Sequence, residues 1–279
     1  MVKSKVNEAI KDFILYFIYI VSSIGLLIPL FWMVSTSLKT PAQIFKYPII
    51  WIPHPIVWRN YVDAFLAIPF LRYIGNTVFI AFTSIIGDLL SCSLVAYSFA
   101  RLRYPGRDFF FMLMLSTLMI PGSVTMIPQF LLYKWFHLID TYVPLILPAY
   151  LAYPMWVFLM RQFFMTVPFE YDDAAKIDGC GYLAIYWKIL MPQIKPVLIV
   201  VAIFSFMAHW NNFMGPLIYL NSQEKYPLAL GLRLFQGLYM TKWELVMAAS
   251  TMALIPPLVI FFIAQRYFIQ GIVITGLKG

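Results

Sequence analysis

Charged residues divide this chain into long apolar runs. No Asp, Glu, Lys or Arg occurs between Asp12 and Lys39, Asp108 and Lys134, Asp140 and Arg161, Lys195 and Glu224, or Glu244 and Arg266. Between Arg72 and Arg101 the one charge is Asp88. Each gap reaches the roughly 20 residues that cross a bilayer's hydrocarbon core at about 1.5 Å per residue. In lipid the backbone must satisfy its own hydrogen bonds, so the runs predict helices. Barrel strands would alternate polar and apolar residues in shorter segments, and these runs do not. The expectation is an all-α polytopic membrane protein. It has six spans, at 12–38, 72–101, 108–134, 141–164, 195–220 and 243–270, an N-terminus at 1–11, a loop at 39–69 and a tail at 271–279.

Composition agrees. Of 279 residues, 62% are hydrophobic and 11% charged, against about 45–50% and about 25% in soluble domains. Too little polar surface remains to cover a water-soluble globule, and disorder, collagen and a disulfide scaffold are excluded as well. The net charge of +8 does not point to nucleic acid, because the basic residues sit between apolar runs, where they set orientation. With the N-terminus inside, Lys3, Lys5, Lys11, Arg101, Arg103, Arg107, Arg161, Lys176, Lys188, Lys195, Arg266 and Lys278 are cytoplasmic. Lys39, Lys46, Arg59, Arg72, Lys134, Lys225, Arg233 and Lys242 are then outside. Twelve against eight favours N-in, C-in. Phe13 to Met33 is too long for a cleaved signal, and no A-x-A-like site follows. Trp32, Trp135 and Trp243 fall near outer span ends, whereas Trp210 lies mid-span. Cys92 and Cys180 read as two free thiols with no ligand spacing around them.

The longest inward connection, Arg161 to Lys195, carries structure of its own. Thr166 is a candidate N-cap, followed by Pro168 and by Glu170, Asp172 and Asp173 at a predicted helix N-terminus. Ala174 and Ala175 favour helix and permit close approach by another surface, and Gly179 and Gly181 suit a stop and a turn. A second amphipathic piece, Tyr182 to Leu190, ends at Met191-Pro192. An ordinary solvated surface helix would give the same helix signals.

One spacing narrows the choice. Asp173-Ala-Ala, three residues, Gly179, nine residues and Ile189-Leu-Met-Pro192 resembles the EAA motif of ABC importer permeases, with Asp173 in place of Glu and Met191 in place of Leu. Ala96 to Arg107, Trp210 to Tyr219, Arg266 to Gly271 and the final Lys278-Gly279 are similar to segments of sugar permeases of the maltose-importer type. The similarity covers most of the chain from about residue 70 onward, so that 70–279 reads as a permease core. The resemblance, to the MalG-like permease subunits of carbohydrate ABC importers, implies a type I importer fold with a cytoplasmic coupling helix in loop 166–192. It implies contact with an ATPase through Glu170, Asp173, Ala174, Ala175, Gly179, Ile189 and Pro192. It also implies a second, MalF-like permease subunit, two copies of a cytoplasmic ABC ATPase, an extracytoplasmic solute-binding protein and a sugar substrate, in a bacterial or archaeal cytoplasmic membrane.

The spans hold further candidates. Ser205, His209 and Asn212 share one helix face, with Trp210 and Asn211 beside them. Such a group either bonds neighbouring helices or lines a sugar path. Pro121-Gly122 and Pro128 should break or kink the third span, placing Gln129 and Tyr133 after the break, and Pro256-Pro257 should kink the sixth. Asp88 is the acidic residue within a span, and Ser84 and Ser91 are positioned on its face to bond it. A secondary carrier working through Asp88 and His209 therefore stays open, as does an ABC permease for a non-sugar solute. The chain has no phosphate loop, His-Glu-x-x-His or Gly-x-Ser-x-Gly motif, so neither ATP hydrolysis nor another enzymatic activity is expected of it, and neither a cofactor nor a metal is implied.

Overall fold

A computed structural model describes residues 2–236 and 241–276, with side chains over 10–236 and 241–265. The basic residues Lys3 and Lys5 and the C-terminal patterns Arg266–Gly271 and Lys278-Gly279 lie outside the described side chains. Among the described residues the regular structure is helical and there is no β-strand. The principal helices are α1 (Val2–Ser37), α2 (Arg59–Ala67), α3 (Phe70–Arg101), α4 (Arg107–Ser116), α5 (Gly122–Trp135), α6 (Pro154–Thr166), α7 (Glu170–Ile177), α8 (Tyr182–Gln193), α9 (Lys195–Trp210), α10 (Met214–Tyr219) and α11 (Trp243–Gly276). Four described segments, Ile10–Ser37, Phe70–Arg101, Val143–Thr166 and Trp243–Gln265, are long and apolar enough to cross a membrane. Two bent pairs, α4 with α5 at 97° and α8 with α9 at 81°, also pass if each is one span.

The chain divides into two units, one holding residues up to Ile68 with Leu232–Ile255, the other Pro69–Gly231 with the residues from Pro256. In the first, α1 exposes its apolar stretch all round, which suits a helix whose surroundings are lipid or another chain. The loop after it folds back on its end. The Asn60 amide donates to the carbonyls of Ser37 and Lys39, both at 2.8 Å, Val57 N–H donates to Leu38 at 2.9 Å, and the Ser35 hydroxyl donates to Trp51. Lys39, fully buried, lies with its ammonium 3.8 Å from the Trp32 ring centre, and burial lowers its pKa.

In the second unit α3 is the central helix. Its stripe Cys92, Ala96, Phe99 and Ala100 follows helical spacing and meets Val157, Met160 and Phe164 of α6 and Val197 and Val201 of α9. Ile185, Tyr186 and Leu190 of α8 and Ala175 of α7 complete this core. A second cluster toward the Phe70 end joins Ile80, Tyr133, Leu145, Tyr219 and Leu220. The α4–α5 break falls at Pro121, which stands as N-cap of α5, whereas Pro128 is carried within α5. Gly87 lets the Tyr150 ring lie against α3, since a Cβ there would stand 2.6 Å from the ring.

Candidate functional site

The segment from Thr166 to Pro192 folds as a helix, a tight stop and a second helix. Thr166 is not the cap of the first. It is the last residue of α6, its hydroxyl donating back to Phe163 at 2.8 Å. The N-cap of α7 is Phe169, whose carbonyl accepts the N–H groups of Asp172 and Asp173 at 2.9 and 3.1 Å. Glu170, Asp172 and Asp173 occupy the first turn, where the free N–H groups and the helix dipole favour negative charge. The helix ends in a Schellman arrangement, with Cys180 N–H donating to Ala175 at 2.9 Å and Gly179 N–H to Lys176 at 3.0 Å. Gly179 has φ +79°, a left-handed conformation that explains why glycine stands there. In α8 a π-helical stretch, Ile185–Leu190, precedes Met191-Pro192.

Two faces of α7 differ. Asp172 and Ala175 are buried against the bundle. Glu170, Asp173, Ala174 and Gly179 are exposed, with Asp173 paired to Lys176 at 3.2 Å. Pro192 is exposed and Ile189 half-buried. Ile177 of α7 is 87% exposed, and Tyr182, Leu183 and Trp187 of α8 are also open. Open apolar side chains of this kind suit contact with another protein or with lipid. Reading the sequence missed this group, though an isoleucine next to Asp178-Gly179 at a helix stop is a signal for it.

The buried face carries an ion pair that the sequence reading also missed. Arg101, the last residue of α3, lies 3.2 Å from Asp172, and the two side chains are 1% and 7% exposed. The same guanidinium donates to the carbonyls of Phe164 and Val167, each at 2.6 Å, and lies 4.4 Å from the Phe169 ring centre. It thus holds the C-terminus of α6, where a cation is favoured, and the start of α7 together. Further along α3, the Tyr97 hydroxyl donates to the Tyr182 carbonyl at 3.2 Å, and the Ser93 and Tyr186 hydroxyls bond at 2.6 Å.

The mid-helix candidates separate. Asp88 is bonded by neither Ser84 nor Ser91. Ser91 instead donates to Ala149 at 2.9 Å and accepts from Ala152, and the buried Ser84 hydroxyl has no hydrogen-bond partner among the described residues. The partner of Asp88 comes from α9: the Ser205 hydroxyl donates to its carboxylate at 2.6 Å, with His209 Nε2 3.8 Å away. The predicted face of Ser205 and His209 is therefore turned to α3. Asn212 serves the break between α9 and α10, accepting Gly215 N–H at 3.1 Å, and the Asn211 amide donates to Met207 at 2.8 Å. Trp210 is buried and stacks on Phe206 at 5.2 Å. Tyr133 is buried edge-on against Tyr219 at 5.4 Å, and Gln129 is exposed.

Between the helices at the Phe70 end, Asp140 clasps the 221–225 turn. Its carboxylate accepts from the N–H groups of Asn221 and Ser222, from the Ser222 hydroxyl at 2.6 Å and from the Lys225 ammonium at 2.8 Å. The Lys225 ammonium, then the Ser222 donors, hold this carboxyl well below the ordinary carboxylate range.

Residues 3–274 match the family model described as the binding-protein-dependent transport system inner membrane component. Over 254 residues, 90% of this chain and 91% of the other, the sequence is 35% identical to the arabinooligosaccharides transport system permease protein AraQ of Halalkalibacterium halodurans. It is 32% identical to the sn-glycerol-3-phosphate transport system permease protein UgpE of Yersinia pestis, over 96% of this chain and 98% of that one. The fold matches a chain of a bacterial ABC transporter involved in the import of the acidic polysaccharide alginate, with TM-score 0.84 and 23% identity over 94% of this chain and 98% of the other.

Proposed function

The chain belongs to the family of binding-protein-dependent transport system inner membrane components, and from that premise we propose that it forms half of the pore of an ATP-driven ABC importer for a sugar or oligosaccharide. The observation that carries the coupling part of this reading is α7 with its exposed face of Glu170, Asp173 and Ala174, closed by Gly179 in a left-handed conformation. A short helix so terminated, flanked by open apolar side chains, fits a groove on a cytoplasmic ATPase. Ala175 packs α7 against the bundle, and Ile189 and Pro192 stand on α8 as further candidates for the contact. The importer would need a second permease subunit, two ATPase copies and an external solute-binding protein, and hydrolysis would belong to the ATPase.

In this reading the bent pair α4–α5 counts as one span and α9, continued to about residue 220, as another, giving six, with both chain ends, α7 and α8 on the cytoplasmic side of a bacterial or archaeal membrane. That orientation follows from the Lys and Arg distribution and puts the charged clasp at Asp140 outside. The relatives' substrates, arabinooligosaccharides and glycerol 3-phosphate, share hydroxyl-rich chemistry. Gln129, Tyr133, His209, Trp210, Asn211 and Asn212 are the candidates for its path, and the helix is broken at 211–213 between α9 and α10, an interruption of the kind that marks transport routes.

Purification of the complex from its native membrane, followed by identification of the associated chains, tests the proposal. An ATPase and a second permease should accompany the chain. A homodimer that transports alone on an ion gradient, and loses uptake on Asp88→Asn, would establish the secondary carrier instead.

A further inference from the structure

Three polar residues of α3, Ser93, Tyr97 and Arg101, stand four positions apart and so occupy one helix face. Each grips the segment that follows α6. Ser93 meets the Tyr186 hydroxyl at 2.6 Å, Tyr97 donates to the Tyr182 carbonyl at 3.2 Å, and Arg101 pairs with Asp172 at 3.2 Å. Around these rungs the packing is apolar: Tyr97 lies against the rings of Phe164 and Tyr186, at 6.0 and 5.3 Å, and Ala175, Ile185 and Leu190 fill the same core.

We infer that this ladder is the mechanical link from α7 to the membrane helices, with Arg101 and Asp172 as positioning residues for transport. Apolar packing alone resists separation but lets surfaces slide, because it is non-directional. Hydrogen bonds at two levels and the buried ion pair at a third oppose sliding and rotation, so a displacement of α7–α8 is passed to α3. Arg101 adds a second grip through the carbonyls of Phe164 and Val167, so α6 moves with the same unit. The buried Arg101–Asp172 pair is a costly choice for stability alone, since apolar replacements often serve as well. A pair that fixes register suits a lever. Burial supports the division of labour on α7: Asp173 and Ala174 are exposed, and Asp172 is buried.

This inference rests on the coupling role proposed above. Its test uses the whole complex in proteoliposomes, with its binding protein and sugar, and reads sugar taken up per ATP hydrolysed, together with the amount of ATPase retained. Asp172→Asn keeps the shape and removes the charge, and Tyr186→Phe is an isosteric second variant that removes one hydroxyl. Both should retain the ATPase and continue hydrolysis, with the transport ratio falling about fivefold or more in Asp172→Asn, the lower range of coupling between sites, and by less in Tyr186→Phe. An unchanged ratio in both variants would overturn the ladder while leaving the coupling role intact. A parallel fall of uptake and hydrolysis in both, at a constant ratio, would show a merely structural role and also overturn it. A wild-type complex that holds no ATPase would instead remove the coupling reading, and the ladder with it.

Discussion

Gly179→Ala isolates backbone conformation at the end of α7. The residue has φ +79°, and a Cβ added there meets no heavy atom within 4 Å. No clash with a packed neighbour enters, so the cost is the left-handed conformation itself, about 1–2 kcal/mol for an L-residue. Alanine also restricts the unfolded chain, which offsets about 0.4–1 kcal/mol. The net is a loss of roughly 0.5–1 kcal/mol, which speeds local opening about two- to fivefold. Hydrogen exchange over a peptide spanning 170–182 reads this directly, because the Cys180 to Ala175 and Gly179 to Lys176 bonds close the helix. Gly179→Asn should be milder, since Asn tolerates this region. Gly181→Ala is the control: its surroundings are equally open but its φ is −74°. Equal exchange in Gly179→Ala and Gly181→Ala would refute the reasoning.

Other expectations follow from the same geometry. Ser205→Ala removes the 2.6 Å bond to Asp88 and leaves a buried polar group without that partner, which should destabilise the purified chain by about 1–3 kcal/mol; an unchanged melting temperature would contradict the assigned pair. Gly87→Ala drives a Cβ to 2.6 Å from the Tyr150 ring, with an overpacking cost of about 1–3 kcal/mol that Tyr150→Ala should relieve in the double variant. Asp140→Asn weakens the clasp on Ser222 and Lys225, costing on the order of 1 kcal/mol at neutral pH for so solvent-accessible a pair. Because the folded carboxyl is held below its ordinary range, that stabilisation is full above about pH 4. It fades as pH falls further toward the lowered folded value, so the melting difference between wild type and variant should narrow only in acid.

The helical membrane character was legible because charge-free runs of about span length have few solutions in lipid. The glycine stop at 179 was legible for a similar reason: few residues besides glycine adopt φ +79° readily. What the sequence could not supply were contacts between distant positions. Ser84 and Ser91 looked like partners of Asp88 because helix periodicity puts them on its face, yet the bond comes from Ser205, 117 residues away. Arg101 looked like one of several orientation-setting charges, and its burial on Asp172 depends on where α7 docks. Thr166 had the chemistry of a cap, but α6 continued through it.

The central claim is that α7 meets an ATPase inside the cell, and a cysteine at exposed Ala174 tests it most directly. With Cys180 replaced by Ser and Cys92 buried, Ala174→Cys is the one reactive thiol among the described residues. In membranes opened to the cytoplasmic side, a bifunctional thiol–amine reagent should join it to a chain identified as the ATPase. Modification of the same thiol by a membrane-impermeant maleimide added outside intact cells would contradict the account.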